Sequence, residues 1–365
     1  MRNYFKFLGL TIIVCALSAQ AQTVTISALT SFGTSGWLTP GSSGLGASGS
    51  SANRGLAFAD GELFYTTAAS SGSITEINPT SGASIGNLTT SGISGGTFNV
   101  DSLAAGGDGT LYVGNLTTSG STAFSVYAFA NPTSLSTSAT RIYSANPTGG
   151  STRLGDSLAA IGSGTSTYIA AGSGAGGSSG YTIINQGVAT AVGVSGAPTP
   201  GFDKAITFVN SSQVIGLHTA GTYYNTTFSG SVGTLSGSVS IPDSNGNGAD
   251  RILSYNVLDG QTLLAVQSTG DSHVSLYDMT TPNSPVFLGS LDNAVSPGSN
   301  ANGTGQIAWG AVTVNPDGSE SQTLYALSSG QGIQAFVVVV PEPATLSLVA
   351  LGGLAVVAFR KKLRQ

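Results

Sequence analysis

Cysteine is all but missing. Cys15 is the single one in 365 residues, and it sits in an N-terminal apolar stretch whose cleavage would remove it. Disulfides and cysteine catalysis are then excluded for the mature chain. Histidine is nearly as scarce: His218 and His273 are the only two, too few for a zinc site that wants three or four protein ligands and has no thiolate to draw on. Charge is scarce as well, at 7 % of residues against roughly a quarter in an average soluble domain. A nucleic-acid binder needs clustered Lys and Arg to neutralise phosphates, so that class is excluded. The low charge is not the mark of disorder, which pairs low hydrophobicity with high net charge; here 40 % is hydrophobic and the net charge is −5. The charges are also unevenly spread. Six of eleven cations lie at the two ends, leaving Arg54, Arg141, Arg153, Lys204 and Arg251 in the interior against fifteen acids, a body charge of −10. Such a body repels anionic lipid and nucleic acid but neither a neutral polysaccharide nor a cation.

The two ends read as addresses. Arg2 and Lys6, the apolar run Phe7 to Leu17 and the small-residue pattern Ala19-Gln20-Ala21 form a secretory signal peptide over residues 1–21, so the mature chain starts at Gln22. A lipoprotein role for Cys15 is disfavoured by Ile13-Val14, which stand where small residues are wanted. At the other end, residues 341–365 hold Pro341-Glu342-Pro343, an uncharged run from Ala344 to Phe359, and Arg360-Lys361-Lys362. The run predicts one transmembrane helix of about 24 Å, slightly short of a ~30 Å hydrocarbon core, with its basic end cytoplasmic. This order of parts resembles the PEP-CTERM sorting signal of Gram-negative bacteria. The resemblance implies processing by an exosortase-type membrane protease, export to the cell surface or extracellular matrix, and the company of exopolysaccharide. A plain membrane anchor is the alternative.

The body, residues 22–340, repeats. A polar residue, an apolar strand, a tight turn and a second apolar strand recur six times, led by Arg54, Asp101, Asp156, Lys204, Arg251 and Gln306 at intervals of 47–55 residues. Four of the six turns are Asp-Gly, which suits a type I′ hairpin because both central residues need positive φ. Third and fourth strands follow in most units, with apolar residues alternating at period two. Four antiparallel strands per ~50 residues, repeated, predict an all-β fold, a β-propeller. Six blades fit the count, with seven if Trp37 to Ala52 contributes to another. The last unit supplies only three strands, and Val24 to Leu29 is the strand that would close the ring. The repeats resemble an uncharacterised secreted propeller family, the DUF4623 proteins, in Arg54-Gly55-Leu56-Ala57, Gly95-Gly96-Thr97-Phe98 and the run Leu111 to Thr117. Asn256-Val257 and the run Gly260 to Val266 add to the likeness. It implies a fold and no activity.

The six lead residues would ring one mouth of the central channel. The bland reading is salt bridging between blades, as between Arg54 and Asp101 or Asp203 and Arg251, because a buried charge needs a partner; the functional reading is a polar ligand mouth. Asp243, Asn245 and Asn247, with Gly248 at the turn, resemble the start of a Ca²⁺ loop, although Ser254 stands where a bidentate Glu is expected; an Asx-rich turn is the plainer reading. No other cofactor is expected. No Gly-x-Ser-x-Gly stands at a strand-to-helix junction. The sequence therefore points to a surface or matrix module that binds or builds rather than catalyses. The rival is a secreted lyase or glycosidase on the same fold, with Asp101 and Asp156 facing each other unpaired.

Overall fold

The computed structural model describes residues 23–146, 153–174, 179–218, 221–241, 250–298, 300 and 302–341. The signal segment, the Asp243, Asn245 and Asn247 loop, and Glu342, Pro343 and the rest of the tail through Arg360, Lys361 and Lys362 lie outside them. The described body is all-β and propeller-like; its helical content is one 3-10 turn, Gly164–Ser166. No helix among the described residues is long and apolar enough to cross a membrane.

Each repeat unit begins with an inner strand: Asn53–Ala59, Phe98–Ala105, Leu154–Ile161, Ala205–Asn210, Asp250–Leu258 and Gly305–Val314. Each inner strand packs against the next, and the last returns to the first, so they close a ring around a channel. Outward from each runs an antiparallel meander. The alternating apolar residues fill the gaps between neighbouring units. Leu63, Tyr65 and Ile77 of the first unit share one cluster with Tyr325, Leu327 and Ile333 of the sixth, while Ala57, Phe64 and Ile74 on the other face of the first unit meet Leu103, Leu111 and Val113 of the second. Period-two alternation is what lets one strand serve two cores.

The expectation of six separate blades needs correction. Hydrogen bonding divides the strands into five sheets, of which four have the single four-strand meander of a blade; the third and fourth units are joined into one eight-stranded sheet. The junction is a parallel pairing of Gly193, Val194 and Ser195 in the outer strand Val188–Ser195 with Val232, Gly233 and Thr234 in the outer strand Val232–Ser240. Two long outer strands approach closely there because Gly233 has no side chain: a Cβ at that position would stand 2.7 Å from a methyl of Val194.

The chain closes as its ends predict. Thr25–Ala28 pairs antiparallel with Gly332–Val340, from Thr25 opposite Val339 to Ala28 opposite Phe336, and completes the sixth unit. Trp37–Leu38, within the stretch that could have begun a seventh blade, instead adds two residues of pairing to the same strand. The final strand stops at Val340, before Pro341, a residue that lacks the N–H to continue a ladder. The Asp-Gly turns divide by loop length. Asp60-Gly61 (φ 48° and 87°) and Asp259-Gly260 (47° and 72°) are two-residue loops with both φ positive. Gly109 and Gly318 alone are positive in the longer turns closed by Gly106 N–H to Thr110 O at 2.9 Å and Asn315 N–H to Ser319 O at 2.8 Å.

One fully buried tyrosine stands in every unit: Tyr65, Tyr127, Tyr181, Tyr223, Tyr277 and Tyr325. Their rings fill the gaps, and the hydroxyls of Tyr65, Tyr127, Tyr223 and Tyr325 tie down loops. Tyr325 donates to Pro79 O at 2.8 Å and Tyr223 to Pro282 O at 2.6 Å, each in the unit that follows around the ring. A buried phenol needs such an acceptor, so these bonds help fix how neighbouring units sit.

Candidate functional site

The inner strands surround a cavity of about 470 Å³, lined mainly by apolar residues such as Leu56, Leu103, Leu158, Ile206, Leu253 and Ile307. An inner strand has no partner on its channel side, so its N–H and C=O groups face the lumen unless something meets them. Gln306 does this across the channel. Its Oε1 accepts from Leu56 N–H at 3.0 Å and Leu103 N–H at 2.9 Å, and its Nε2 donates to Leu103 O at 2.8 Å and Leu158 O at 3.0 Å. One side chain of the sixth unit thus ties together the first three.

Two residues before these leucines stand the lead residues of the same units, and they form a buried network. Arg54 Nη2 donates to Asp156 Oδ1 at 2.5 Å, and its Nε lies 3.0 Å from Asp101 Oδ1. Arg153 holds Asp156 from outside through Nη2 at 2.7 Å and through a closer Nε contact to Oδ2. Arg54 also lies over the Phe98 ring, 5.5 Å from its centre. The Arg54–Asp101 contact is close but poorly aligned: neither Asp101 carboxylate oxygen, nor Arg54 Nε, makes a hydrogen bond. Asp101 is completely buried. Burial pushes its pKa up to about 7, with Arg54 pulling down against it and Asp156 adding to the rise. Arg153 is pushed above the usual arginine range, chiefly by its hydrogen bond to Asp156.

The other two lead cations have different surroundings. Lys204 lines the channel and its Nζ donates to Asn302 O at 3.0 Å. Burial pulls its pKa down, partly offset by Asp203 and Asp156. Arg251 is half-buried, and its Nε has no hydrogen-bond partner. Asp203, anticipated as its partner, is instead held by His218 Nδ1 at 2.5 Å. The other histidine, His273, lies 3.4 Å from Asp271 and 3.9 Å from Asp292. Among the described residues no group of three or more His, Cys, Asp or Glu is placed to hold a metal.

The sequence pattern anticipated the Arg54–Asp101 pair. It did not show Gln306 crossing the channel, because period and polarity say nothing of how far a side chain reaches. Nor did it show His218 taking Asp203; a histidine fifteen residues away along the chain carries no spacing signal for that pairing.

Comparison with known proteins adds a tail and a fold. The PEP-CTERM protein-sorting motif matches residues 339–362. No curated protein matches the sequence. Among solved structures, a DUF4623 family protein from Bacteroides eggerthii superposes with a TM-score of 0.58 at 13% identity, over 80% of this chain and 70% of that one. The major allergen Mala s 1 of Malassezia sympodialis gives 0.49 at 13% identity, over 79% and 93%. The periplasmic gluconolactonase of Pseudomonas aeruginosa gives 0.42 at 12%, over 77% and 83%. At these identities likeness concerns the fold alone, and only the first superposition is close enough to carry it. The body is therefore an all-β, propeller-like unit similar in fold to a DUF4623 protein. With its sorting motif, the chain is an exosortase-sorted surface protein.

Proposed function

We propose that this protein is a non-catalytic structural or binding module of the cell surface or extracellular matrix, associated with exopolysaccharide. In this reading residues 1–21 are a cleaved signal peptide, and the propeller-like body is the working module. The run Ala344 to Phe359 spans the inner membrane until exosortase cuts near Pro341-Glu342-Pro343. No cofactor is required.

The observation that carries the non-catalytic reading is the fate of Asp101 and Asp156. A glycosidase needs two carboxylates about 5–10 Å apart with the glycosidic bond between them. Here both carboxylates converge on Arg54, Asp101 is wholly buried, and Gln306 lies across the channel beside them. Arg54 occupies the place between them that the glycosidic bond would need. The test is a glycan array joined to a reducing-sugar assay on the purified protein, with fractionation of the native host. Retention of glycans without sugar release, and recovery in the surface or matrix fraction, is expected. Sugar release abolished by Asp101→Asn would replace this reading with the lyase or glycosidase one. Glu342→Ala should fold normally and remain in the inner membrane; equal arrival at the surface would leave a plain anchor as the better account.

A further inference from the structure

The interior of the chain has five cations against fifteen acids. The fold gathers four of the five, Arg54, Arg153, Lys204 and Arg251, at one mouth of the channel. Arg54 and Arg153 are matched by Asp101 and Asp156. Asp203, next to Lys204 in the chain, is held by His218. That leaves Lys204, just before the fourth inner strand, and Arg251, on the fifth, without a hydrogen-bonded carboxylate among the described residues. Burial lowers the pKa of Lys204; Asp203 and Asp156 pull it back up, and Arg153 and Arg251 add a smaller repulsion.

Both heads are held against the same short loop. Lys204 donates to Asn302 O, and the guanidinium of Arg251 lies over the next residue, Gly303. A Cβ at Gly303 would sit 2.6 Å from Arg251 Nη1 and 2.8 Å from its Cδ, and the residue has φ +61°. Glycine is what lets the backbone turn there and the guanidinium lie against it. The result is a lysine and an arginine held against one loop, half-buried, with donors to spare: Arg251 makes no hydrogen bond or ion pair with any described residue, and its Nε is shielded from water as well. Like charges held near one loop, partly desolvated and without a hydrogen-bonded counter-ion among the described residues, cost stability. A bound oxyanion removes that cost and supplies the missing acceptor.

We infer that Lys204 and Arg251 form an anion site whose ligand is a carboxylate. The planar fork of a guanidinium matches a carboxylate with two parallel bonds, and the ammonium adds a third donor. Resting on the binding-module reading for its source, the carboxylate is that of a uronate in an acidic polysaccharide. The body charge of −10 repels a long polyanion lying along the surface, so the site takes a single carboxylate, at a chain end, into a local patch of opposite sign.

The test is calorimetric titration of the full-length protein in mild detergent at low ionic strength. The probes are galacturonate, a short oligogalacturonate, inorganic phosphate and a neutral maltooligosaccharide. Both uronates should bind, less tightly as salt is raised, and the neutral sugar should not. Arg251→Gln should weaken binding by about tenfold or more, Lys204→Gln by a similar factor, and Arg251→Lys by less, in line with loss of a charge-assisted bond. Thermal melting alongside shows that each variant is folded; Arg251→Lys, which keeps the charge, decides the matter should Arg251→Gln fail to fold. Absence of binding by every anion, or equal affinity in the folded variants and the parent, overturns the site. Binding of phosphate but of neither uronate overturns the carboxylate assignment. Uronate binding by a protein that never partners exopolysaccharide in its host would sink the proposed function and leave the site standing.

Discussion

Equivalent positions on the inner ring are used in opposite ways on its two sides. In the first three units Arg54, Asp101 and Asp156 are buried together and balance one another's charge, with Gln306 reaching over to bind the strands beside them. In the fourth and fifth units Lys204 and Arg251 stay half-exposed, one held by a backbone oxygen and the other, among the described residues, by packing over Gly303. Burial makes the difference. A fully buried charge must find its partner inside the protein or change protonation state; a half-exposed one is served by water until a ligand arrives. A place in the repeat therefore assigns a residue to the ring, while its depth decides whether it braces the fold or meets a ligand.

The strongest way to break this contrast is to remove one cation from each side. Arg54→Met leaves two carboxylates buried beside each other, one of them held only by Arg153. The expected loss is about 3–5 kcal/mol of unfolding free energy, the usual cost of orphaning a buried charge, read from denaturant midpoints. A loss below about 1 kcal/mol, the range of exposed ion pairs, would mean that the first sector is no more closed than the second.

The next effect is one of pH. Asp101 titrates near 3.8 when unconstrained and near 7 in the folded protein. Between those values the folded state binds the extra proton, so its stability is full below about pH 4 and falls as pH rises through 7. The whole fall attributable to this group is at most about 4 kcal/mol. Thermal melts from pH 4 to 8 should show it, and Asp101→Asn should flatten the slope across that window. A parent whose stability rises with pH over the same range contradicts the closed network.

Much of the fold was legible because propeller units write themselves into sequence twice, as period-two apolar strands and as turn residues at a ~50-residue spacing. Asp60-Gly61 and Asp259-Gly260 formed the two-residue turns that the dipeptide favours. The missing strand of the last unit pointed to Thr25–Ala28 as the closure. What was not legible depends on distance in space. The sheet shared by the third and fourth units arises from three residue pairs between outer strands, too few to mark either strand. The six buried tyrosines lie in the second strand of some units and the third of others, so no fixed spacing reveals them. In the candidate site the charge types were readable, but which acid met which base was not: His218, rather than Arg251, holds Asp203, and Arg251 has no ion pair among the described residues.

A smaller effect sharpens the role of Gln306. Gln306→Leu keeps the side-chain volume but removes two acceptor and two donor contacts to Leu56, Leu103 and Leu158. Those strand groups line a cavity wide enough for water, which can replace part of the loss. The expected cost is about 1–3 kcal/mol. Amide exchange should quicken at Leu56 and Leu103, the two N–H groups that Gln306 caps, more than elsewhere in their strands. Uniform exchange across the first three units would show that the channel crossing is not what holds them together.

The smallest expected change in stability belongs to Arg251, and its smallness is the point. Arg251→Gln removes a cation that has no hydrogen bond or ion pair to lose among the described residues. It relieves the repulsion that Lys204 experiences, while giving up the packing of the Arg251 stem over Gly303. The two terms oppose each other, so the net effect on unfolding should lie within about 0.5 kcal/mol, as for ordinary surface changes. The same measurement repeated with galacturonate present separates the sectors further. Ligand binding to the folded state stabilises it by RT ln(1 + [L]/Kd), about 2.7 kcal/mol at a hundredfold excess over Kd. That gain should appear in the parent and in Gln306→Leu, which leaves Lys204 and Arg251 in place, and shrink sharply in Arg251→Gln. If Arg251→Gln instead destabilised the protein as much as Arg54→Met, Arg251 would be bracing the ring as Arg54 does, and the two sides would differ in appearance only.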